Sequence, residues 1–192
     1  MEIIVVDDGS SDGLNPERLG VRSFLQHPKN LGKGAALKTG MNHASKEGYT
    51  HAITLDADRQ HDPVFIPSFQ DMIKRFPSAL VIGARNLTDR SMPIHRMLSN
   101  NVTSLMLSLR TGERIFDAQV GYRAYPLNDS RLWESVEDGF QFESDVFIKA
   151  SKLKYGLAWQ SISVIYSGER SNMNYVKDTL RFIRTFLRSF IC

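Results

Sequence analysis

Residues 1–13 read Met-Glu-Ile-Ile-Val-Val-Asp-Asp-Gly-Ser-Ser-Asp-Gly, an apolar run that stops on two adjacent carboxylates and a glycine–serine turn. The run Ile3 to Val6 has the β-branched character of a strand. Asp7 and Asp8 therefore fall at a strand's carboxyl end, which is where ligands gather in open α/β sheets. The same letters suit two machines, a phosphate-accepting receiver and a nucleotide-binding enzyme, and the residues further along must choose between them.

Outward from this stretch, further apolar runs occur at Val21 to Gln26, Ala52 to Leu55 and Leu80 to Ile82, with helix-like patterns between or after them. That alternation predicts an α/β layer with a largely parallel sheet. The runs and turns lead into Asn30-Leu31-Gly32-Lys33-Gly34, Asp56-Ala57-Asp58 and Gly83-Ala84-Arg85, endings chemically matched to phosphates and a metal. Beyond residue 90 the pattern predicts a helix over Pro93 to Leu109, a short strand over Gln119 to Tyr125, a helix over Phe142 to Leu153 and a strand over Leu157 to Ile165. No linker, repeat or low-complexity segment interrupts the chain.

With 192 residues, 42% hydrophobic and 23% charged, the composition is that of a globular protein. Cys192 is the only cysteine, which excludes an internal disulfide or a cysteine-rich zinc site and fits a reducing compartment. No stretch approaches the ~18 apolar residues of a spanning helix, and no signal peptide is visible. The net charge of +3 is unevenly placed: residues 170–192 hold five basic groups and one acid, leaving the remainder at −1. Such asymmetry points to an anionic surface or to an ordinary solvated helix face.

Asp56 and Asp58 lie two residues apart, so an extended chain turns both carboxylates to one side. With Gln60 and His61 just beyond, they can hold Mg²⁺ or Mn²⁺ and leave positions open for a diphosphate; a solvated strand-to-loop turn is the plain alternative. Asn30 to Ala36 opens a helix with glycines and Lys33, where free backbone N–H groups suit an anion. It is neither a Walker A loop, since Gly34 stands where Ser or Thr should follow Lys33, nor a dinucleotide fingerprint, since Leu37 occupies the third glycine position. A receiver domain fares no better: it needs a hydroxyl residue closing the next strand and a later Lys-Pro, and the chain has Gly83-Ala84-Arg85 and no Lys-Pro.

In this order and spacing, Asp7-Asp8-Gly9-Ser10-Ser11-Asp12-Gly13, Asn30 to Gly34, Asp56-Ala57-Asp58-Arg59-Gln60-His61 and Gly83-Ala84-Arg85 resemble the family 2 glycosyltransferases of the GT-A fold. Asp117 to Tyr125 looks like the Asp-x-x-x-Gly-Phe-Arg segment of the branch that contains dolichyl-phosphate mannose synthase and polyprenyl-phosphate sugar transferases, with Tyr122 replacing Phe. Phe140 to Asp145 is similar to that branch's acidic helix start. The resemblance implies a Rossmann-like α/β/α sandwich over residues 1–172, followed by a basic amphipathic helix over 173–192. It implies that Asp7, Asp8, Ser10, Lys33, Asp56, Ala57 and Arg85 bind the sugar nucleotide, and that Asp56, Asp58 and Gln60 hold Mg²⁺ or Mn²⁺. It also implies that Asp58, Asp117, Arg123 and Glu143 serve catalysis, and that Arg96 and Arg123 receive an acceptor phosphate. A buried ion pair with Asp117 is the structural alternative for Arg123.

A hydroxyl acceptor requires a carboxylate base, for which Glu143 and Asp145 are candidates. A lipid phosphate monoester, with its second pKa near ~6, requires only charge compensation. The Gln-x-x-Arg-Trp signature of processive synthases is missing. In the tail, Lys177, Arg181, Arg184 and Arg188 form one stripe opposite Val176, Leu180, Ile183, Phe186, Leu187 and Phe190, the pattern of a helix lying in an anionic interface. The implied partners are a GDP- or UDP-sugar, a polyprenyl or dolichyl phosphate and the cytoplasmic membrane surface, in cell envelope biogenesis and without nucleic acid. A hydroxyl acceptor, or a non-catalytic nucleotide-sugar or membrane-binding module, are the alternatives. Family members begin one strand and one helix earlier, so the expectation is an N-terminally truncated domain with unpaired backbone at the missing strand.

Overall fold

The computed structural model describes residues 1–13, 15–85, 94–164 and 175–190, with the side chains at 95 and 175–178 set aside. In chain order the elements are β1 (Ile4–Asp7), α1 (Pro16–Leu19), β2 (Ser23–Gln26), α2 (Lys33–Lys46), β3 (His51–Thr54), α3 (Ile66–Arg75), β4 (Ala79–Arg85), α4 (Ile94–Thr111), β5 (Arg123–Pro126), α5 (Phe142–Lys152), β6 (Gly156–Ile162) and α6 (Tyr175–Arg188). Pro93, Ile165, Asn174 and Ile191, at the margins of three expected elements, lie outside the described residues.

The strands form two sheets. β1 and β2 pair in parallel, while the second sheet has the order β3-β5-β4-β6. β5 runs antiparallel to both β3 and β4, and β4 and β6 are parallel. The pairing is thus mixed where a largely parallel sheet was expected, because alternation in a sequence encodes which face a side chain takes and not the direction of its neighbour. Among the described residues β1 pairs only with β2, and β3 only with β5; α2 packs against both β1 and β3 and joins the two sheets.

The core follows from the central strands. Leu80, Val81 and Ile82 of β4 and Ala124 and Tyr125 of β5 are buried, as are Phe142, Val146, Phe147, Ile148 and Ala150 of α5. Each large apolar side chain removed from water contributes about 1.5–3 kcal/mol before entropy is counted. Phe69 of α3 stacks on Tyr122 with centroids 4.4 Å apart, anchoring that helix at the head of β5. The reversed direction of β5 has one functional result. Its N-terminal approach, residues 117–122, lies at the same end as the carboxyl ends of β3 and β4.

Candidate active site

The opening acid pair organises its own neighbourhood. Asp7 is buried; its Oδ1 accepts from Ser10 N at 2.9 Å and its Oδ2 from Gln26 Nε2 at 2.8 Å, so it ties the turn after β1 to β2. The hydrogen bonds from Ser10, and then that from Gln26, hold its carboxyl below the usual range. Asp8 Oδ1 accepts from Leu31 N and pairs with His27 Nδ1, and its Oδ2 accepts from Gly32 N at 2.8 Å. Gly9 makes this approach possible: its φ is +72°, and a Cβ there would stand 2.6 Å from Asn30 N.

These bonds change one expectation. The start of α2 was expected to offer free N–H groups to a pyrophosphate, but the carboxylate of Asp8 already takes those of Leu31 and Gly32, and Asp138 O takes that of Ala35. Asp8 is thus the anion at this helix start, with both oxygens engaged by protein. Ser10 is exposed beside it and Ala57 is exposed in the turn after β3.

Lys33, the first residue of α2, extends into a partly buried ionic cluster, in which Glu143 alone is fully buried. Its Nζ lies 2.8 Å from Asp56 Oδ2 and 3.1 Å from Glu143 Oε1. Burial alone would push the Lys33 pKa down, but the carboxylates of Glu143 and Asp56 outweigh it and hold the ammonium well above its ordinary value. For Asp56 burial favours the neutral acid, and Lys33 reverses this so that the carboxyl falls below its ordinary value. For Glu143, at the start of α5, burial prevails over Lys33 and the pKa is raised. Gly121 forms the floor of the cluster, since a Cβ there would meet Asp56 Oδ2 and would lie 2.8 Å from Lys33 Nζ.

Asp58 Oδ1 accepts from Gln60 N at 3.0 Å, an Asx turn that leads the chain away from β3. His61 follows, buried, with no hydrogen-bond partner for Nδ1 among the described residues, and lies in the fields of both Asp56 and Asp58. Burial, the largest influence, pushes its pKa down. Among the described residues no three His, Cys, Asp and Glu side chains converge as a complete metal cage. Asp56 and Asp58 are oxygen donors of the kind that Mg²⁺ or Mn²⁺ takes, but with His61 they do not converge as a three-residue site.

The arginines are placed differently from expectation. Arg85 grips Asp117 through Nε at 2.6 Å and Nη2 at 2.8 Å, so both members of that pair are engaged with each other. Arg123 is fully buried: Nε, Nη1 and Nη2 donate to the carbonyls of Val120, Glu143 and Ala118, and the guanidinium lies over the Phe147 ring. It stands in the sheet opposite Thr54 and Ile82, binding the approach to β5 to the start of α5, and it neither contacts Asp117 nor presents a free edge to an acceptor. Arg96 lies half-buried in the first turn of α4.

Two features escaped sequence reading. The Lys33–Asp56–Glu143 cluster joins residues 23 and 110 positions from Lys33, for which the local pattern carries no signal. Asn100 and Ser104 of α4 turn their polar ends inward to the loop before β5, Asn100 Oδ1 accepting from Ala118 N and Gln119 N and Ser104 Oγ from Ala118 N. A run of polar residues at three- and four-residue spacing on α4 was the visible clue.

A family model described as Glycosyl transferase family 2 matches residues 1–126. The chain is 30% identical over 138 residues to polyprenol monophosphomannose synthase of Mycolicibacterium smegmatis, covering 65% of this chain and 51% of that protein. It is 27% identical over 188 residues to UDP-N-acetylglucosamine–dolichyl-phosphate N-acetylglucosaminyltransferase of Methanococcus voltae, covering 86% and 75%. Among solved structures, glucosyl-3-phosphoglycerate synthase of Mycobacterium tuberculosis in complex with Mn²⁺ and UDP-glucose superposes with a TM-score of 0.73 at 17% identity, covering 97% of this chain and 67% of that one. The chain therefore spans about half of the mannose synthase and about two thirds of the phosphoglycerate enzyme.

Proposed function

The chain belongs to glycosyl transferase family 2, whose fold it has, and on that premise we propose that it moves a hexose from a GDP- or UDP-sugar to a polyprenyl phosphate, with inversion, at the cytoplasmic face of a membrane. The observation that carries the reading is the end of β3, where Asp56 pairs with Lys33 at 2.8 Å and the buried His61 lies in the fields of Asp56 and Asp58. The relatives' acceptors, polyprenol and dolichyl phosphates by their names, supply the acceptor class.

In this mechanism the donor lies across the carboxyl ends of β1 and β3. Asp56 and Asp58, with Gln60 and His61 next to them, would hold Mg²⁺ or Mn²⁺, and the bound ion would offset negative charge on the leaving diphosphate. Asp7 shapes the nucleotide side through the turn at Ser10, and Lys33 fixes the orientation of Asp56. A phosphate oxygen of the lipid attacks the anomeric carbon, and the bond from that carbon to the diphosphate oxygen breaks as the new one forms. A phosphate monoester with a second pKa near ~6 is ionised at neutral pH, so no proton has to be removed. Arg96 would receive that phosphate in this reading, since Arg85 and Arg123 are engaged within the protein.

A hydroxyl acceptor is favoured by one feature, the raised proton affinity of Glu143, which suits a general base. Its ion pair with Lys33 and its burial speak for a positioning role instead. Incubation with labelled donor and either undecaprenyl phosphate or 3-phosphoglycerate separates the two: label in the lipid supports the proposal, and label only in the water-soluble product overturns it.

A further inference from the structure

The two acids after β1 are each held by one of two consecutive residues at the end of β2. Gln26 Nε2 donates to Asp7 Oδ2 at 2.8 Å, and the His27 ring stands with Nδ1 2.6 Å from Asp8 Oδ1. The backbone sets this up. His27 N donates to Asp7 O at 2.8 Å, which carries the parallel ladder of β1 and β2 one residue past the strands and turns the side chains of 26 and 27 to opposite faces. Neither His27 nor the residue behind it, Thr39, has a part in the proposed transfer step.

The imidazole bridges two elements. Its Nε2 is 2.9 Å from Thr39 Oγ1 in the middle of α2, so the ring links that helix to the turn after β1. The direction of the first bond follows from its chemistry: a carboxylate only accepts, so Nδ1 carries a proton and donates to Asp8. The Thr39 hydroxyl, which can donate or accept, suits Nε2 whatever that nitrogen carries. Thr103 and Thr111 of α4 return their hydroxyls to the carbonyl four residues back, the usual place for a helical threonine; Thr39 sets its own against the ring. The side chains of His27 and Asp8 are 11% and 17% exposed, so water competes little for the bond between them.

A carboxylate offers about four acceptor positions. On Asp8 the protein fills three of them, with Leu31 N and His27 Nδ1 at Oδ1 and Gly32 N at Oδ2. The position that remains on Oδ2 takes only a donor, such as a ribose hydroxyl or a base N–H. Both backbone donors come from the start of α2, and His27 alone holds the carboxylate from another element. We propose that His27, backed by Thr39, is a positioning residue for the sugar nucleotide: it fixes the torsion of Asp8 so that the remaining Oδ2 lone pair meets the nucleoside. The role rests on the nucleotide-donor reading of the site and is independent of the acceptor. A plain structural tie between β2 and α2 uses the same bonds, and differs in that its loss lowers stability without touching affinity.

The test is calorimetric titration of the full chain with UDP and with GDP in the presence of Mg²⁺, with melting temperatures measured alongside. His27→Phe keeps the bulk of the ring and removes both nitrogens, and is expected to weaken binding of the nucleotide that the wild type takes by at least about ten-fold. His27→Asn, whose side-chain amide donates from the place of Nδ1, should restore affinity to within about three-fold of the wild type. In donor turnover the effect of His27→Phe should fall on KM, with kcat changed less than about two-fold. A lowered melting temperature with unchanged affinity, or equal weakening by Phe and Asn, overturns the inference. Should His27→Phe fail to fold, Thr39→Val carries the test: affinity should fall about three-fold, and wild-type affinity overturns the role. A wild type that binds neither nucleotide overturns it together with the donor reading, whereas nucleotide binding without labelled lipid overturns the acceptor reading and leaves the role of His27 standing.

Discussion

A methyl group on Gly121 would press on Asp56 and Lys33, so the glycine is as much a part of the site as the charged groups it carries. Gly121→Ala should separate the pair, lower stability by about 1–3 kcal/mol through overpacking and cut turnover by more than ten-fold, as read by thermal melts and a donor-turnover assay. Arg123 tests the correction to its expected role. With three backbone carbonyls on its guanidinium, Arg123→Met should cost about 3 kcal/mol in urea denaturation. A merely raised acceptor KM with unchanged stability would restore the phosphate-binding role. Asp7 supplies a pH test. Its folded-state pKa is depressed, so its contribution is present above the ordinary aspartate value near ~3.9 and is lost as the pH falls through the lower folded value. The urea midpoints of wild type and Asp7→Asn should differ by a constant amount from about pH 5 to 8 and converge below about pH 4.

Among the elements, those whose pattern is local were legible in the sequence. β1 was expected at Ile3 to Val6 and is found at Ile4–Asp7; α5 was expected at Phe142 to Leu153 and is found at Phe142–Lys152. β5 was less legible: a strand was expected from Gln119, but it starts at Arg123, because residues 118–119 are held by α4 rather than by a neighbouring strand. Its reversed direction depends on pairings with residues about 40 and 70 positions away, which no window along the chain contains. Asp56 and Asp58 were readable because they share a short turn, whereas the reach of Lys33 to Glu143 required the fold. α4 shows how an element can be placed correctly and still be read incompletely. Its helical period was clear, but which face turned inward was decided by the backbone N–H groups of residues 115–119 that needed partners. Asn100→Ala should leave two of these weakly paired and reduce stability by about 1–3 kcal/mol, with faster hydrogen exchange at Ala118 and Gln119 as its local sign. Unchanged exchange at both amides would contradict that assignment.

Across the whole molecule, the two sheets meet through α2, whose first residues carry Asp8's contacts on one side and Lys33's on the other. The acid pair after β1 and the Asp56 end of β3 are thereby tied to a single helix start. Among the described residues no helix is long and apolar enough to cross a membrane. The central claim is sugar transfer to a polyprenyl phosphate by the Asp56–Asp58 end of β3. Its most direct test is incubation of the protein with labelled GDP- or UDP-sugars, Mg²⁺ or Mn²⁺ and undecaprenyl phosphate, followed by extraction of the lipid. The account predicts a labelled glycosyl phospholipid that is lost on chelation and reduced at least about 100-fold by Asp58→Asn; a lipid that stays unlabelled with every donor, or labelling that Asp58→Asn leaves unchanged, would contradict it.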